Sequence, residues 1–274
     1  MSEAVALREL PPPPGSELYY ALLFLPSEIR HEVTLLETFR RLIVTLPYHC
    51  SNRDIARAKL AWWHGELHTL QSADSRHAMT RALVPLVARD PPLVTALFAL
   101  VDGVAELLDA TRFATAEARR ECYTRVHGPL WVAHVRCCGV TNAPESVALR
   151  DLGVALELAY GLRDLRALVR AGLTWLCRSH EPTLLAGTEN DADWYAAVAA
   201  REVPYLGDAL HAAQAALAPQ NRRAPSLRAL HVLSDLALAT LDEIAADGYR
   251  VWERRVEITP LRKLWRALRI RSAT

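Results

Sequence analysis

The residues best placed for chemistry lie in one stretch of the chain, residues 151–177. Within it Glu157, Tyr160 and Asp164 follow one another at spacings of three and four, so they share one face of a helix. The positions around them are apolar at the same helical period, which predicts one long helix with a buried side, followed by a turn. An unpaired carboxylate is costly to bury, so this polar stripe should face a cavity or a partner.

Two other polar groups have spacings that metal sites use, and neither is predicted to bind a metal. His64 and His68 stand four apart, but Gly65 occupies the position where the HExxH zinc motif has its glutamate. A structural role is therefore the favoured interpretation of both histidines. A carboxylate stripe follows at helical spacing: Asp102, Glu106 and Asp109. A solvated helix face is the favoured interpretation of that stripe.

Composition and charge exclude several classes of function. The chain has 274 residues, 51% of them hydrophobic, which is enough for one substantial core and a single domain. The net charge of +1 gives no reason to expect binding to nucleic acid. The five cysteines form no CxxC pair and follow no signal peptide, which predicts reduced thiols in a cytoplasmic protein. The longest apolar run, residues 93–108, contains two acidic residues, so no membrane-spanning helix is expected.

The hydrophobic period along the chain predicts an all-α fold. Residues 1–15 end in PPPPG and should be a disordered or extended lead-in, which leaves 16–274 as one helical domain. Ser27 is the expected N-cap of a helix whose apolar residues recur at helical spacing, and Pro47 should end that helix. Strand-like alternation is almost absent.

Residues 152–176 resemble the second aspartate-rich region of the squalene/phytoene synthase family, whose pattern is roughly LGxALQLTNxLRDxxxDxxxGRxYLP. Residues 59–67 (KLAWWHGEL), 100–113 and the C-terminal segment also resemble that family, so the likeness extends over about 19–269. The resemblance implies the head-to-head trans-prenyltransferase fold, a single-domain isoprenoid-synthase-type helical bundle with a central cavity.

The first aspartate motif of the family, AFxRxxDDxxD, falls on the helix after Ser27. Phe39 and Arg41 match it, but the paired aspartates fall on Val44 and Thr45 and the last one on Tyr48. In the family these carboxylates hold the Mg²⁺ ions that bind the diphosphate, and Mg²⁺ requires oxygen ligands. Val44 has no side-chain oxygen, and a neutral phenol replaces a carboxylate poorly.

The second motif is also incomplete. Asp164 is retained, whereas the second aspartate of its DxxxD falls on Leu168. The glutamine and the asparagine of the family pattern fall on Glu157 and Tyr160. The degenerate positions of both motifs are therefore Val44, Tyr48 and Leu168, with Asp164 alone kept, and no residue is assigned a catalytic role.

These departures leave three functions open and favour the first. The chain would be a catalytically inactive relative (a pseudoenzyme) that acts by binding, as an assembly factor or as a subunit of a partner complex, with or without a lipid in its cavity. It would otherwise be a divergent Mg²⁺-dependent prenyltransferase of isoprenoid biosynthesis that condenses two prenyl diphosphates, with Asp164 and Glu157 as its metal ligands. The third function is a carrier for an isoprenoid or another lipid.

The resemblance places Arg41, Glu157, Tyr160, Arg163 and Asp164 around the cavity. No cofactor is expected for a binding protein, and Mg²⁺ is expected only for the enzyme. In an inactive protein Asp164 should be kept for structure, with Arg41 as its expected ion-pair partner. Arg163 is disfavoured as that partner because adjacent residues of a helix point in different directions.

The closing segment of the chain is predicted to be a basic amphipathic helix. Its apolar side is Leu261, Leu264, Trp265 and Leu268, and its basic side is Arg262, Lys263, Arg266 and Arg269. A helix docked on the domain is the favoured interpretation, since the family also ends in this way. The alternative is contact with an anionic membrane surface, which would make the protein membrane-peripheral.

Overall fold

The computed structural model describes residues 12–70, 72, 74–109, 112–139, 143–173, 175–178, 192–216 and 227–272, with backbone only at 143–146. Across these residues the chain forms α-helices and short 3₁₀ segments but no β-strand, so the prediction of one all-α domain is confirmed. The helices are α1 (Glu17–Leu22), α2 (Ser27–Thr45), α3 (Arg53–Leu67), α4 (Ala78–Arg89), α5 (Leu93–Asp109), α6 (Ala116–Cys137), α7 (Ala143–Arg163), α8 (Leu165–Arg170), α9 (Ala192–Ala215), α10 (Arg228–Ala246) and α11 (Pro260–Ser272).

The N-terminal helices begin where the local chemistry allows it. Ser16 caps α1, because its hydroxyl accepts a hydrogen bond from the backbone N–H of Tyr19 at 3.2 Å. Ser27 was expected to cap α2, and that prediction is wrong: Pro26 takes the cap position and Ser27 is the first helical residue. Residues 1–11 of the predicted lead-in lie outside the described residues, and the domain boundary at residue 16 stays a prediction.

Helix α7 is the centre of the domain. It packs against α6, α9 and α10, and α6 in turn packs against α5. Leu149, Leu152, Leu156 and Leu162 are completely buried at steps of three, four and six residues along α7, as the apolar period of the sequence predicts. The side chains that α7 directs toward its neighbours are therefore held in fixed positions by the surrounding helices.

The long helix predicted over residues 151–177 does not continue through Asp164. Helix α7 ends at Arg163, and Asp164 leaves the helical conformation with φ −97° and ψ 16° before the short helix α8. Gly172 then closes the segment with a φ of +72°, which a residue with a side chain would adopt only under strain. This break sets the direction of the Asp164 carboxylate.

The described part of the chain contains no helix that is both long and apolar enough to cross a membrane. The last helix, α11, packs against α10 and α1. It therefore docks on the domain, as its favoured sequence interpretation predicts.

Candidate functional site

The positions of the two degenerate motifs meet near the C-terminal end of α7. Val44 is in the last turn of α2, Tyr48 in the 3₁₀ segment that follows, and Leu168 is buried in α8. Burial raises the pKa of the Tyr48 phenol well above its ordinary value, and the nearby carboxylates of Asp164 and Glu157 raise it further. Tyr48 is consequently a neutral phenol close to the carboxylates of Asp164 and Glu157.

Glu157 is bound by side chains from two other helices. Its carboxylate lies 3.0 Å from Nη1 of Arg40 on α2 and accepts a hydrogen bond from Nε1 of Trp131 on α6 at 3.2 Å. The same Arg40 contacts Glu37 at 2.9 Å. His134 completes the cluster, with its Nε2 3.1 Å from Glu37. We call Glu37, Arg40, His134 and Glu157 the central charge cluster.

Arg40 is the counter-charge of both carboxylates in the central charge cluster, which lies mostly away from water. Burial acts to raise the pKa of Glu37, but Arg40 and His134 outweigh it and lower that pKa to about 2. Burial likewise acts to lower the pKa of Arg40, and Glu157 and Glu37 outweigh it, so the pKa lies above its ordinary value. A cation that approached Glu157 would therefore meet the fixed positive charge of Arg40.

Asp164 is held between two arginines. Arg163 donates to both of its oxygens, at 3.1 and 2.8 Å, and Arg255 donates from Nε at 2.6 Å. Burial acts to raise the pKa of Asp164, but the two guanidinium groups outweigh it and hold the pKa below its ordinary value. Arg163 also lies 3.2 Å from Glu17, which is bound by Lys263 at 2.8 Å.

The predicted pairing of Asp164 with Arg41 is wrong. Arg41 is exposed on the outer side of α2 and has no ion pair among the described residues, whereas its neighbour Arg40 points inward. Arg163 was disfavoured on the assumption of a continuous helix. Because Asp164 leaves the helical conformation, the two adjacent side chains meet.

A stripe on α6 was missed as a group in the sequence. Tyr123, His127, Trp131 and His134 are all buried and recur at steps of four, four and three. Burial lowers the pKa of His127, so its imidazole is neutral near pH 7, and Nδ1 has no hydrogen-bond partner in the described structure. The helical period of these four residues was the signal that pointed to one shared face.

Trp131 packs directly against α7. A Cβ atom added to Gly153 on α7 would lie only 2.2 Å from Cγ of Trp131, so the indole rests directly on the backbone of α7. Its Nε1–H reaches Glu157 from this position. The central part of the bundle is therefore occupied by an aromatic ring and the central charge cluster.

Tyr160, which replaces the asparagine of the family pattern, also serves a structural contact. The guanidinium of Arg163 lies over its ring, 4.7 Å from the centroid. Its hydroxyl lies 3.5 Å from the carbonyl oxygen of Leu233 on α10. Burial raises the pKa of this phenol, and the negative charge of Glu17 contributes, so Tyr160 is neutral.

The residues at the motif positions do not fit Mg²⁺. Val44 and Leu168 have no donor atom, and the carboxylates of Glu157 and Asp164 are each paired with arginine. Within the described ranges no group of three His, Cys, Asp or Glu side chains has a metal-binding arrangement.

The other two candidate groups occupy surface positions. The rings of His64 and His68 lie 5.1 Å apart, and both pack on Phe98. In the carboxylate stripe of α5, Asp109 pairs with Arg57 and Glu106 with Arg125, both on the surface. These positions agree with the favoured interpretations, a structural role for the two histidines and a solvated helix face for the carboxylate stripe.

Two clefts open elsewhere in the molecule. One, of about 240 Å³, lies between α7 and α9 and is lined mainly by alanines. The other, of about 480 Å³, lies along α1 and the start of α2. Neither is lined by a residue of the two motifs or of the central charge cluster, so the predicted central cavity stays a prediction.

Comparison with known proteins identifies the family. The model of the squalene/phytoene synthase family matches residues 12–262, and this chain belongs to that family. A crystal structure of a dehydrosqualene synthase in complex with ligand superposes with a TM-score of 0.73 at 16% identity, covering 99% of this chain and 94% of that one. The squalene synthase HpnC from Alicyclobacillus acidocaldarius gives 0.68 at 18% identity, covering 90% of this chain and 94% of that one. At these identities both show the shared fold. No curated protein matches the sequence.

Proposed function

We propose that this chain is a catalytically inactive member of its family that acts by binding another protein, as an assembly factor or as a subunit of a partner complex. One observation carries the proposal. The two carboxylates at positions of the second motif are paired with arginine, Glu157 with Arg40 and Asp164 with Arg163 and Arg255. Groups that serve as ligands of a metal ion must instead direct unpaired oxygens at it.

The electrostatics around these carboxylates also oppose the binding of Mg²⁺. A metal ion at Glu157 would have to displace Arg40, and one at Asp164 would have to displace Arg163, which is almost completely buried. In either case the displaced guanidinium would remain close by in a site with little water. Like charges at that range repel strongly where the local dielectric constant is low. The arginines therefore act as fixed replacements for the cations that a working diphosphate site would recruit.

A protein partner is favoured over a lipid bound in the centre of the bundle. An isoprenoid needs an apolar lining, whereas the space around Glu157 contains Arg40, His127 and Trp131. The family resemblance placed Glu157 and Tyr160 around this space, but it did not indicate Arg40, His127 or Trp131. Binding a lipid there would require breaking the ion pairs of the central charge cluster, which costs free energy.

The divergent prenyltransferase remains the second candidate, because Asp164 occupies the position of a metal-binding aspartate and its side chain is 28% exposed. Asp164 and Glu157 could bind a metal ion together only after Arg255 had moved away. Arg255 is the more exposed of the two arginines at Asp164.

The first prediction concerns stabilisation by the ligands of the enzyme site. We expect Mg²⁺ together with pyrophosphate to leave the melting temperature of the protein nearly unchanged. A ligand that binds only the folded state, at a hundred times its Kd, would stabilise it by about 2.7 kcal/mol. For a chain of this size that is a rise of roughly 5 °C or more.

The measurement is thermal unfolding with Mg²⁺ alone, pyrophosphate alone and both together. The Asp164→Ala variant is the matched control. A rise that requires both ligands in the wild type and is absent from Asp164→Ala would favour the prenyltransferase instead.

We propose a cytoplasmic location on the basis of the cysteines. No disulfide forms among the described residues, which include all five cysteines. Thiols of this kind persist in a reducing compartment.

A further inference from the structure

The cleft of about 240 Å³ between α7 and α9 has walls that are mostly apolar. Val154, Ala155 and Leu158 line it from α7, and all three are buried. The facing side of α9 contributes short side chains, which cannot fill the space between the two helices although these pack against each other. They are Ala209, Ala212, Ala213 and Ala216.

The two charged side chains that line this cleft, Arg120 and Asp151, differ in their pairing. Asp151 lies 2.8 Å from Nη2 of Arg150, so its charge is already compensated. Arg120 projects from α6, is exposed, and forms no ion pair with any residue that the structure describes. The lining therefore contains one guanidinium group that lacks an ion-pair partner.

Tyr205 lines the same part of the cleft as Arg120. Arg119, the neighbour of Arg120 on α6, forms a buried ion pair with Glu202 of α9 at 2.6 Å. Glu202 is three residues before Tyr205, so this ion pair holds α6 beside the turn of α9 that contains Tyr205. The Tyr205 hydroxyl has no hydrogen-bond partner among the described residues. Two hydrogen-bond donors, a guanidinium group and a phenol, thus stand beside an apolar cleft.

We propose that this cleft binds a saturated aliphatic carboxylate of about eight to ten carbon atoms. The carboxylate accepts hydrogen bonds from Arg120, whose planar guanidinium matches it, and from the hydroxyl of Tyr205. The alkyl chain lies between α7 and α9, where it replaces water at the apolar walls. The chain length follows from the volume, because a cavity of roughly 150 Å³ holds the six carbon atoms of benzene.

The charge of the lining selects a carboxylate over a phosphate monoester. A single guanidinium compensates the single negative charge of a carboxylate, whereas a phosphate monoester carries nearly two charges at pH 7. The cleft shares no lining residue with the two motifs or with the central charge cluster. The proposed carboxylate site is therefore independent of the proposed loss of catalysis.

The test is isothermal titration of the full chain with octanoate, below the concentration at which octanoate forms micelles. We expect saturable binding to one site per chain. Butanoate keeps the charge but loses four methylene groups, and octanol keeps the chain but loses the charge. Each should bind about tenfold more weakly than octanoate or worse, because the site uses both the apolar walls and the guanidinium.

Arg120→Gln tests the contact with the carboxylate. Glutamine keeps hydrogen-bond donors but removes the charge, so the variant should bind octanoate about tenfold more weakly and octanol like the wild type. Arg41→Gln is the matched control, because Arg41 is also exposed and has no ion pair among the described residues, but it lies on α2 away from the cleft. It should bind octanoate like the wild type.

Ala209→Leu tests the position of the alkyl chain. The leucine side chain fills part of the cleft, so this variant should bind both octanoate and octanol about tenfold more weakly or worse. Ala61→Leu makes the same change at an exposed position of α3 and should bind both ligands like the wild type.

The proposal is overturned if octanoate does not bind the wild type saturably. It is also overturned if Arg120→Gln and Arg41→Gln bind octanoate equally, since the carboxylate then lies elsewhere. Binding to Ala209→Leu with the affinity of the wild type would place the chain at another site, such as the cleft along α1. Arg120 is exposed, so the result with Arg120→Gln does not depend on whether Ala209→Leu folds.

Discussion

Arg40→Met should destabilise the protein by about 3–5 kcal/mol, the cost of removing one partner from a buried ion pair. Arg40 is the cation shared by Glu37 and Glu157, at 2.9 and 3.0 Å. Methionine fills much of the same space but leaves Glu157 with the single hydrogen bond from Trp131. The loss therefore comes from two carboxylates that stay away from water without their shared counter-charge. Urea unfolding measures it directly.

The loss of stability at low pH provides a second test of the role of Arg40. In the folded wild type the pKa of Glu37 is about 2, below its ordinary value of 4.5. Below pH 4.5 Glu37 therefore binds protons more readily in the unfolded chain than in the folded protein. The contribution of Glu37 to the free energy of unfolding is present above pH 4.5 and is lost as the pH falls toward 2. Arg40→Met should raise the pKa of Glu37, so the variant should lose less stability than the wild type between pH 4.5 and pH 2.

The neighbouring residue supplies the control. Arg41→Met makes the same substitution one position along α2, where the side chain is exposed, and it should change stability by less than about 0.5 kcal/mol. Replacing Glu37 and Glu157 by glutamine in the Arg40→Met background should recover part of the loss, since the uncompensated charges are then gone. Equal stability of the Arg40→Met and Arg41→Met variants would show that the central charge cluster does not stabilise the fold.

Asp164→Ala should also destabilise the protein, by about 1–3 kcal/mol. Arg163 is almost completely buried and would keep only Glu17 as an ion-pair partner, at 3.2 Å, while Arg255 is exposed and can turn to water. The expected loss is therefore smaller than for Arg40. A metal ligand crowded by other acids behaves in the opposite way, because its removal relieves repulsion and stabilises the apo protein.

A surface pair of the same chemistry is the control for Asp164. Asp109 accepts a hydrogen bond from Nε of Arg57 at 3.0 Å, but both side chains are exposed. Asp109→Ala should therefore change stability far less than Asp164→Ala does. Urea unfolding in the presence of EDTA keeps traces of metal from contributing. An Asp164→Ala variant that melts above the wild type would contradict a structural role for this carboxylate.

The helical period and the family resemblance were enough to predict the fold and the positions of the two motifs, but not which charged side chains face inward. On α2 the motif match pointed to Arg41, and the structure uses Arg40. The difference of one residue is a rotation of about 100°. Arg40 is four residues before Val44 and eight before Tyr48, so the period of α2 itself indicated the correct face.

The partners of Asp164 depend on features that a single stretch of sequence does not contain. Its pairing with Arg163 requires the helix to end at that point, and the second partner, Arg255, lies 91 residues further along the chain. Likewise, Lys263 looked like part of an exposed basic face until α11 was placed against Glu17 and α1. Local patterns predict which elements form, whereas ion pairs between distant elements depend on how those elements pack.

The release of diphosphate tests the absence of catalysis most directly. Wild type and Asp164→Ala are incubated with farnesyl or geranylgeranyl diphosphate and Mg²⁺, and the pyrophosphate formed is measured over time. We predict that the wild type releases no more pyrophosphate than Asp164→Ala, because Glu157 and Asp164 are both paired with arginine. Release by the wild type that requires Mg²⁺ and disappears in Asp164→Ala would contradict the proposal and identify the protein as a working prenyltransferase.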